Sequence, residues 1–465
     1  MWIAEGNVNV RVTRATDEEI DWLSAYLTFK PASVRYTGGS QQLYNRISAS
    51  FPAGMLSMVR KAAERDGIAI EYADMRAPPL ARDMQADLAW LRDYQREAVE
   101  AMVARERGII AVPTSGGKTE IMVGISRALP GRWLMLVHRS NLVTQTAARY
   151  EKRSPGKHAG VVLDGKILDD WSTTNFLCGT VQTFNALLQR NDPRALEILK
   201  NADGLLVDEA HTVPAASALR VLSKVTHARY RFGLSGTPLD REDKRSILAV
   251  AMLGNIIYKI AASTLIAAGV VVAPRIRMIE CRQRVDRSTW EGVVVEGITK
   301  SRKRNGYIGT AMLTCARPAL VFVNRVEHGR ILHAWAVEKG LRSRFVWGEQ
   351  SQDERNAIAV QVQAGELDVV ICSPVWVEGV DIPNIRSCIM ACGGKSIISA
   401  LQRVGRGMRV APGKTTFDVY DIQDRDCGCF DTERAHRACL WLDKHAKQRV
   451  KSYRREAYTV IEEIW

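Results

Sequence analysis

Apolar residues in this chain fall into short continuous runs. Gly108-Ile109-Ile110-Ala111-Val112, Trp133 to Val137, Phe176 to Gly179, Leu205-Leu206-Val207, Ala319-Leu320-Val321-Phe322-Val323 and Val369 to Cys372 each have the length and continuity of a strand buried on both faces. Glu120 to Ile125, after the first run, reads as the start of a helix. The beginning of the chain is patterned differently. Val8, Val10 and Val12 alternate with Asn7, Asn9 and Arg11, which predicts a half-buried strand. Thr16-Asp17-Glu18-Glu19 is a capping box, followed by Ile20, Leu23 and Leu27 on one helical face. Strand-like pieces at Val34 to Tyr36 and Gln42 to Ser48 come next. A helix from Pro52 to Arg65 then buries Leu56 and Val59, stops at Gly67 and leads to a strand from Ile68 to Tyr72.

The order βαββαβ makes residues 1–80 a separate small α/β domain, and Arg76-Ala77-Pro78-Pro79 reads as its linker. Two larger α/β domains are expected over 81–268 and 269–465, with the second beginning between Ala262 and Arg275. Arg282 to Arg304 lacks apolar periodicity. From Thr432 onward the pattern is helical and basic, as for a terminal helix packed back on the domain before it.

The 465 residues are enough for about three domains, and 46% hydrophobic with 25% charged residues is a globular composition. Lys plus Arg outnumber Asp plus Glu by 65 to 51, a net charge of +14 that suits a polyanionic partner. The basic residues of the N-terminal domain (Arg11, Arg14, Lys30, Arg35, Arg46, Arg60, Lys61, Arg65) fit either nucleic-acid recognition or plain solvation. So does the cluster Lys300, Arg302, Lys303, Arg304. Nine cysteines, an odd number without a compact framework, point to reduced thiols and an intracellular, cytoplasmic protein. Neither a secretory leader nor a run long enough to cross a bilayer is evident, so a soluble protein is expected. Cys427, Cys429, His436 and Cys439 match no zinc spacing well.

The chemistry is concentrated at strand ends. After the first run, Pro113-Thr114-Ser115-Gly116-Gly117-Lys118-Thr119 has the composition of a phosphate-binding loop. Its backbone N–H groups and the following helix dipole face an anion, Lys118 adds a cation, and Thr119 would hold Mg2+. Val112 stands where the usual pattern has its first glycine. Leu205-Leu206-Val207 ends in Asp208-Glu209-Ala210-His211, so carboxylates emerge at a carboxyl strand edge. Asp208 is placed to hold Mg2+ through water and Glu209 to deprotonate an attacking water. Gln402-Arg403-Val404-Gly405-Arg406-Gly407-Met408-Arg409 is expected to put Arg406 and Arg409 one helical turn apart, facing one cleft.

This ordered set resembles the superfamily 2 DExH/DEAH helicases and translocases over roughly Leu91 to Asp424. The resemblance implies that Gln95 reads an adenine edge with Arg92 and Tyr94 beside it. It also implies that Arg139, in a segment similar to motif Ia, and Thr183, in one similar to motif Ic, grip a phosphodiester backbone. Ser235-Gly236-Thr237 is similar to motif III, with Gly236 in place of the commoner alanine. There Ser235 and Thr237, with Gln402 of the second domain, couple nucleotide to track. Arg241-Glu242-Asp243 is similar to the RED element of XPB-type helicases, or is a solvated turn. Asn324-Arg325 resembles motif IV, and Val377 to Pro383 resembles motif V, with Gly379 and Asp381 at the nucleotide. Arg406 and Arg409 would act as arginine fingers on the transferring phosphoryl group.

The fold so implied is two tandem RecA-like parallel-sheet motor domains preceded by a small α/β domain, with ATP and Mg2+ bound between the motors and one strand moved 3′ to 5′. Among subgroups the chain looks most like phage UvsW-type recombination helicases and XPB-like DNA helicases. That implies a monomer acting on branched or single-stranded DNA in a bacterial or phage-infected cell, a nuclear setting remaining open. An RNA helicase, or a nucleic-acid clamp with an inactive ATPase, is the alternative.

Overall fold

Strand pairing in the first of two large sheets decides where the chemistry goes. In the computed structural model, which describes all residues except 31–39, 240–242, 244, 374–375, 377–381, 395–396 and 426–432, this sheet runs in the order Lys166–Ile167, Gly160–Leu163, Phe176–Thr180, Trp133–Val137, Gly204–Asp208, Tyr230–Ser235, Arg107–Ala111, Ile256–Lys259. Every pairing is parallel except the first. Trp133–Val137 and Phe176–Thr180 are buried along their whole length, as expected of strands covered by helices on both faces. Asp208 pairs with Leu234 and Ser235 with Ala111. That register brings the DEAH carboxylates, the Ser-Gly-Thr segment and the start of the phosphate loop to one carboxyl edge.

The chain divides into two compact units, residues 1–113 with 117–260 and residues 261–465 with 114–116. The second unit holds an all-parallel sheet in the order Ser343–Val346, Val369–Cys372, Ala319–Phe322, Ser387–Met390, Phe417–Arg425, Pro274–Arg282, Thr459–Glu463. Helix Glu433–Arg455 packs on strand Phe417–Arg425, as its pattern suggested. Arg449 on this helix makes a buried two-pronged pair with Asp421, at 2.8 and 3.0 Å, and Tyr453 donates to the same carboxylate at 3.0 Å. The closing strand Thr459–Glu463, which alternation over so few residues did not announce, pairs with Pro274–Arg282. The stretch after Arg282 is more structured than its pattern implied. It forms helix Trp290–Val293, a wide π turn Val294–Thr299 and helix Arg302–Thr314. Arg304 is fully buried beside Asp424, at 3.4 Å, so it is neither a solvated charge nor a DNA contact.

The N-terminal domain has a mixed four-stranded sheet in the order Ser50–Pro52, Asn9–Arg14, Trp2–Glu5, Glu71–Asp74. The Thr16–Glu19 capping box forms as expected. Three details differ from the pattern. Trp2–Glu5 adds a first strand, the expected strand at Gln42 to Ser48 is replaced by the short pieces Gln41–Gln42 and Ser50–Pro52, and the last strand is shifted to Glu71–Asp74. Val34 to Tyr36 lies outside the described residues.

The linker expected at 76–79 is not a loose tether, because polar groups pin it on both sides. Arg76 bridges Asp74 at 2.7 Å and Glu106 at 2.8 Å, while Arg229 reaches Glu106 at 2.9 Å and the Ala77 carbonyl at 2.9 Å. Asn7 donates to the carbonyls of Thr226 and His227 and accepts from Ala77 N–H. The apolar core runs on from Ile3, Val10 and Phe51 into Ile109, Leu134 and Val250. Gly54 makes the closest approach. A Cβ there would lie 2.1 Å from the Val250 carbonyl oxygen, at the end of helix Ser246–Leu253. Gly54→Ala is therefore expected to cost about 1–3 kcal/mol by overpacking, read as a lowered melting temperature. A melting curve matching wild type would show that this seam is not closely packed.

Candidate functional site

The phosphate loop owes its shape to residues that accept a left-handed backbone. Ser115 has φ 70° and Gly117 φ 76°, and Lys118 opens helix Lys118–Ala128. At Gly117 even a methyl group would not fit, since a Cβ would lie 2.4 Å from the Gln95 amide nitrogen. Gln95 is buried. Its Oε1 accepts the Arg92 N–H at 3.0 Å and its Nε2 donates to the Tyr94 hydroxyl at 3.3 Å. The amide expected to meet an adenine is thus held by the start of its own helix and lies against Gly117, while the Arg92 side chain is exposed.

Lys118 Nζ donates to Glu209 Oε1 at 3.0 Å. Glu209 itself is left-handed, φ 53° and ψ 58°, which costs a non-glycine residue about 1–2 kcal/mol. Its second oxygen lies 3.2 Å from His211 Nδ1 and 3.4 Å from Ser235 Oγ, and those two partners are 3.2 Å apart. Thr237 N–H donates to Ser235 Oγ at 3.2 Å, and Thr237 Oγ1 is buried with no hydrogen bond among the described residues. Lys118, Glu209, His211, Ser235 and Thr237 therefore form one connected polar cluster. His211 had no role assigned from sequence beyond its place in the tetrapeptide, and that fourth position was the signal available.

The two carboxylates in this cluster are pulled in opposite directions. Burial pushes the Asp208 carboxyl up, repulsion from Glu209 adds to it, and Lys118 and His138 oppose it. Burial acts on Glu209 in the same sense, but there Lys118 and His211 win and hold its carboxyl well below the usual range. Two shielded carboxylates share one lysine here, and a divalent cation would favour the ionised form of both. The hard oxygen donors of Asp208 and Thr119 suit Mg2+ completed by phosphate oxygens and water. Among the described residues no group of three or more His, Cys, Asp or Glu could enclose a metal by itself.

Arg139 precedes helix Ser140–Arg153 at the same sheet edge, in an extended conformation. Thr183, expected to grip a phosphate, is engaged locally. It is buried, its N–H caps onto Thr180 Oγ1 at 3.0 Å and the two hydroxyls lie 2.9 Å apart, so it takes part in capping its helix.

In the second unit Arg325 precedes helix Val326–Glu338 and forms an ion pair with Glu291. A cavity of about 490 Å³ opens beside Asn324, at the carboxyl ends of neighbouring strands Ala319–Phe322 and Ser387–Met390, with Trp290, Trp441 and His445 in its walls. Gln402 and Arg406 lie on helix Ile397–Gly407, but Arg409 lies beyond it and bridges Val271. The expected shared helical face is therefore absent. The helix ends where Lys414 Nζ takes the Gly407 carbonyl at 2.6 Å and Val272 N–H takes that of Met408 at 2.7 Å. Arg403, unassigned from sequence, is buried and donates to Asn324 Oδ1 at 2.8 Å. Gly379, Asp381, Arg241 and Glu242 lie outside the described residues.

Residues 89–240 match the family model described as the type III restriction enzyme, res subunit, and residues 311–411 match the helicase conserved C-terminal domain. The ATP-dependent DNA helicase uvsW of Enterobacteria phage T4 is 26% identical over 388 residues, covering 79% of this chain and 76% of that protein. The DNA 3'-5' translocase XPB2 of Sulfurisphaera tokodaii is 26% identical over 398 residues, covering 74% and 87%. The solved fragment of a putative HsdR subunit of a type I restriction enzyme from Vibrio vulnificus covers 92% of this chain and 88% of that one. Its TM-score is 0.60 at 16% identity, a likeness of fold.

If Glu209 handles the proton, Glu209→Gln should keep ATP binding within about threefold of wild type and lower turnover by about 10²–10⁴. Lys118→Ala should weaken binding and turnover together. Steady-state hydrolysis near wild type in either variant would remove the assigned roles.

Proposed function

The chain belongs to the superfamily 2 helicases and is an ATP hydrolase, and from that premise we propose that it is a DNA translocase working on branched DNA, unwinding or migrating forks and junctions. The observation that carries the hydrolytic part is the Lys118–Glu209–His211–Ser235 cluster beside a glycine-built phosphate loop. Lys118 and the loop N–H groups bind polyphosphate. Asp208 and Thr119 would hold Mg2+, which would supply positive charge to the phosphates. Glu209, oriented by His211 and Ser235, accepts the proton of the attacking water.

The Lys118–Glu209 contact gives this arrangement a sequence of events. While Lys118 pairs with Glu209, the carboxylate is a weak base. When Lys118 turns to polyphosphate, Glu209 loses its largest favourable charge and becomes more basic, so base strength follows substrate binding. Ser235 touches both Glu209 and the Thr237 N–H, and through these contacts Ser235 and Thr237 would couple hydrolysis to the track. Arg406 and Arg409 enter as arginine fingers through their motif, and Gly379 and Asp381 through theirs.

DNA as the track is supported by the net charge of +14 and by the names of the relatives. Arg139 and Arg325 grip phosphates on it, with the Trp290 and Trp441 cavity beside Asn324 offering aromatic faces to a base. A strand-displacement panel of single strands, forks, four-way junctions and RNA duplexes tests the substrate. Forks and junctions should be processed faster than linear DNA, and activity confined to RNA duplexes would overturn the reading. Arg139→Ala should make the salt dependence of single-strand binding shallower by about 0.7 in the log–log slope, the value for one lost phosphate contact. An unchanged slope would take Arg139 off the track.

A further inference from the structure

A second cavity, of about 450 Å³, lies at the other edge of the first sheet, where strands Arg107–Ala111 and Ile256–Lys259 begin and the N-terminal domain closes over them. Helix Leu56–Arg65 contributes Arg60 and Lys61 to its wall, helix Asp93–Arg105 contributes Arg105, and the first motor sheet contributes Arg107. None of these cations has an ion-pair partner among the described residues. The one acid in the wall, Glu5, is already engaged. It accepts the Tyr72 hydroxyl at 2.6 Å and lies 3.6 Å from Arg76.

Arg107 is the unusual member. Its Nη2 donates to the Asn7 carbonyl at 2.7 Å, while Nε and Nη1 are buried and make no hydrogen bond. Burial pulls its pKa down to about 10, against the pull of Glu5, so it stays charged at neutral pH. Arg231, fully buried nearby, donates only to the carbonyls of Met252, Val225 and Leu222 and adds positive charge without a carboxylate. A shielded guanidinium with unused donors is costly unless an anion completes it. Arg107 holds that charge behind the cleft wall, and Arg60, Lys61 and Arg105 are exposed and carry the same charge outward.

We propose that this cleft binds the phosphate backbone of a duplex arm, on the opposite edge of the sheet from the phosphate loop. Successive phosphates meet the exposed Arg105 on the motor and Arg60 and Lys61 on the N-terminal domain, with the shielded guanidinium of Arg107 adding positive charge behind them. The inference rests on the branched-DNA reading for its biological sense. It explains why a basic N-terminal domain is locked to the first motor sheet: a second grip held rigidly to a motor senses a branch, because both contacts are satisfied together only at the right geometry.

The test uses the full chain carrying Arg60→Ala, Lys61→Ala and Arg105→Ala together, all exposed positions, with its melting curve compared with wild type. Labelled fork, linear duplex and single-stranded DNA are titrated over a range of salt. Duplex and fork affinity should fall at least about tenfold, with the log–log salt slope shallower by about 0.9 for each lost contact. Single-strand affinity should stay within about twofold. Unchanged duplex affinity and slope, or an equal loss on single strands, would overturn the proposal. So would displacement of wild type from duplex by micromolar inorganic pyrophosphate, which would mark a small-anion site. If wild type shows no preference for fork over linear duplex, the branched-DNA reading fails on its own, and the slope on linear duplex still decides the cleft.

Discussion

Lys118 and Glu209 sit 3.0 Å apart because parallel register leaves them no other place. Ala111 beside Ser235 and Asp208 beside Leu234 bring three loops to one sheet edge, and those loops bring a lysine, two carboxylates, a histidine and hydroxyls together out of water. A one-residue slip in either pairing would turn these side chains to the opposite face and scatter the cluster. Glycine at 117 and left-handed geometry at 209 are the local concessions to that arrangement. Two shielded carboxylates sharing one lysine are a poor arrangement for stability alone. They make sense as a seat for a divalent cation and a polyphosphate.

Charge is handled in opposite ways at the two edges of the same sheet. At the carboxyl edge two carboxylates share one lysine, which suits a cation. At the amino edge Arg107 and Arg231 are shielded from water and neither forms an ion pair among the described residues, so the excess is positive. The network of Asp74, Arg76, Glu106 and Arg229 beside the latter is neutralised internally and holds the domains together, with Asp74 kept ionised by Arg76. The seam thus combines a balanced part that binds protein to protein with an unbalanced part available to an anion.

Features set by neighbours in the chain could be read from the sequence. The Thr16–Glu19 box, the strand before Lys118 and the strand before Asp208 depend on contacts a few residues apart, and all formed as expected. Features set by distant packing could not. Arg304 looked like one more surface cation, but Asp424 lies 120 positions away in the chain and only the sheet brings it near. Arg409 looked helical until Lys414 and Val272 claimed the carbonyls that would have extended the helix. Thr180, the N-cap that engages Thr183 three residues on, was by contrast a local signal that went unread. Pro78 and Pro79 suggested a tether, and the carboxylates that pin that segment come partly from the motor.

The central claim is that the buried cluster around Glu209 hydrolyses ATP and that nucleic acid drives it, so that the chain is a motor and not a clamp. ATP turnover by the full chain, measured with and without single-stranded DNA at saturating magnesium, tests it most directly. The account predicts slow turnover alone and an increase of about tenfold or more on adding DNA. Tight binding of ATP and DNA with no turnover under either condition would contradict it.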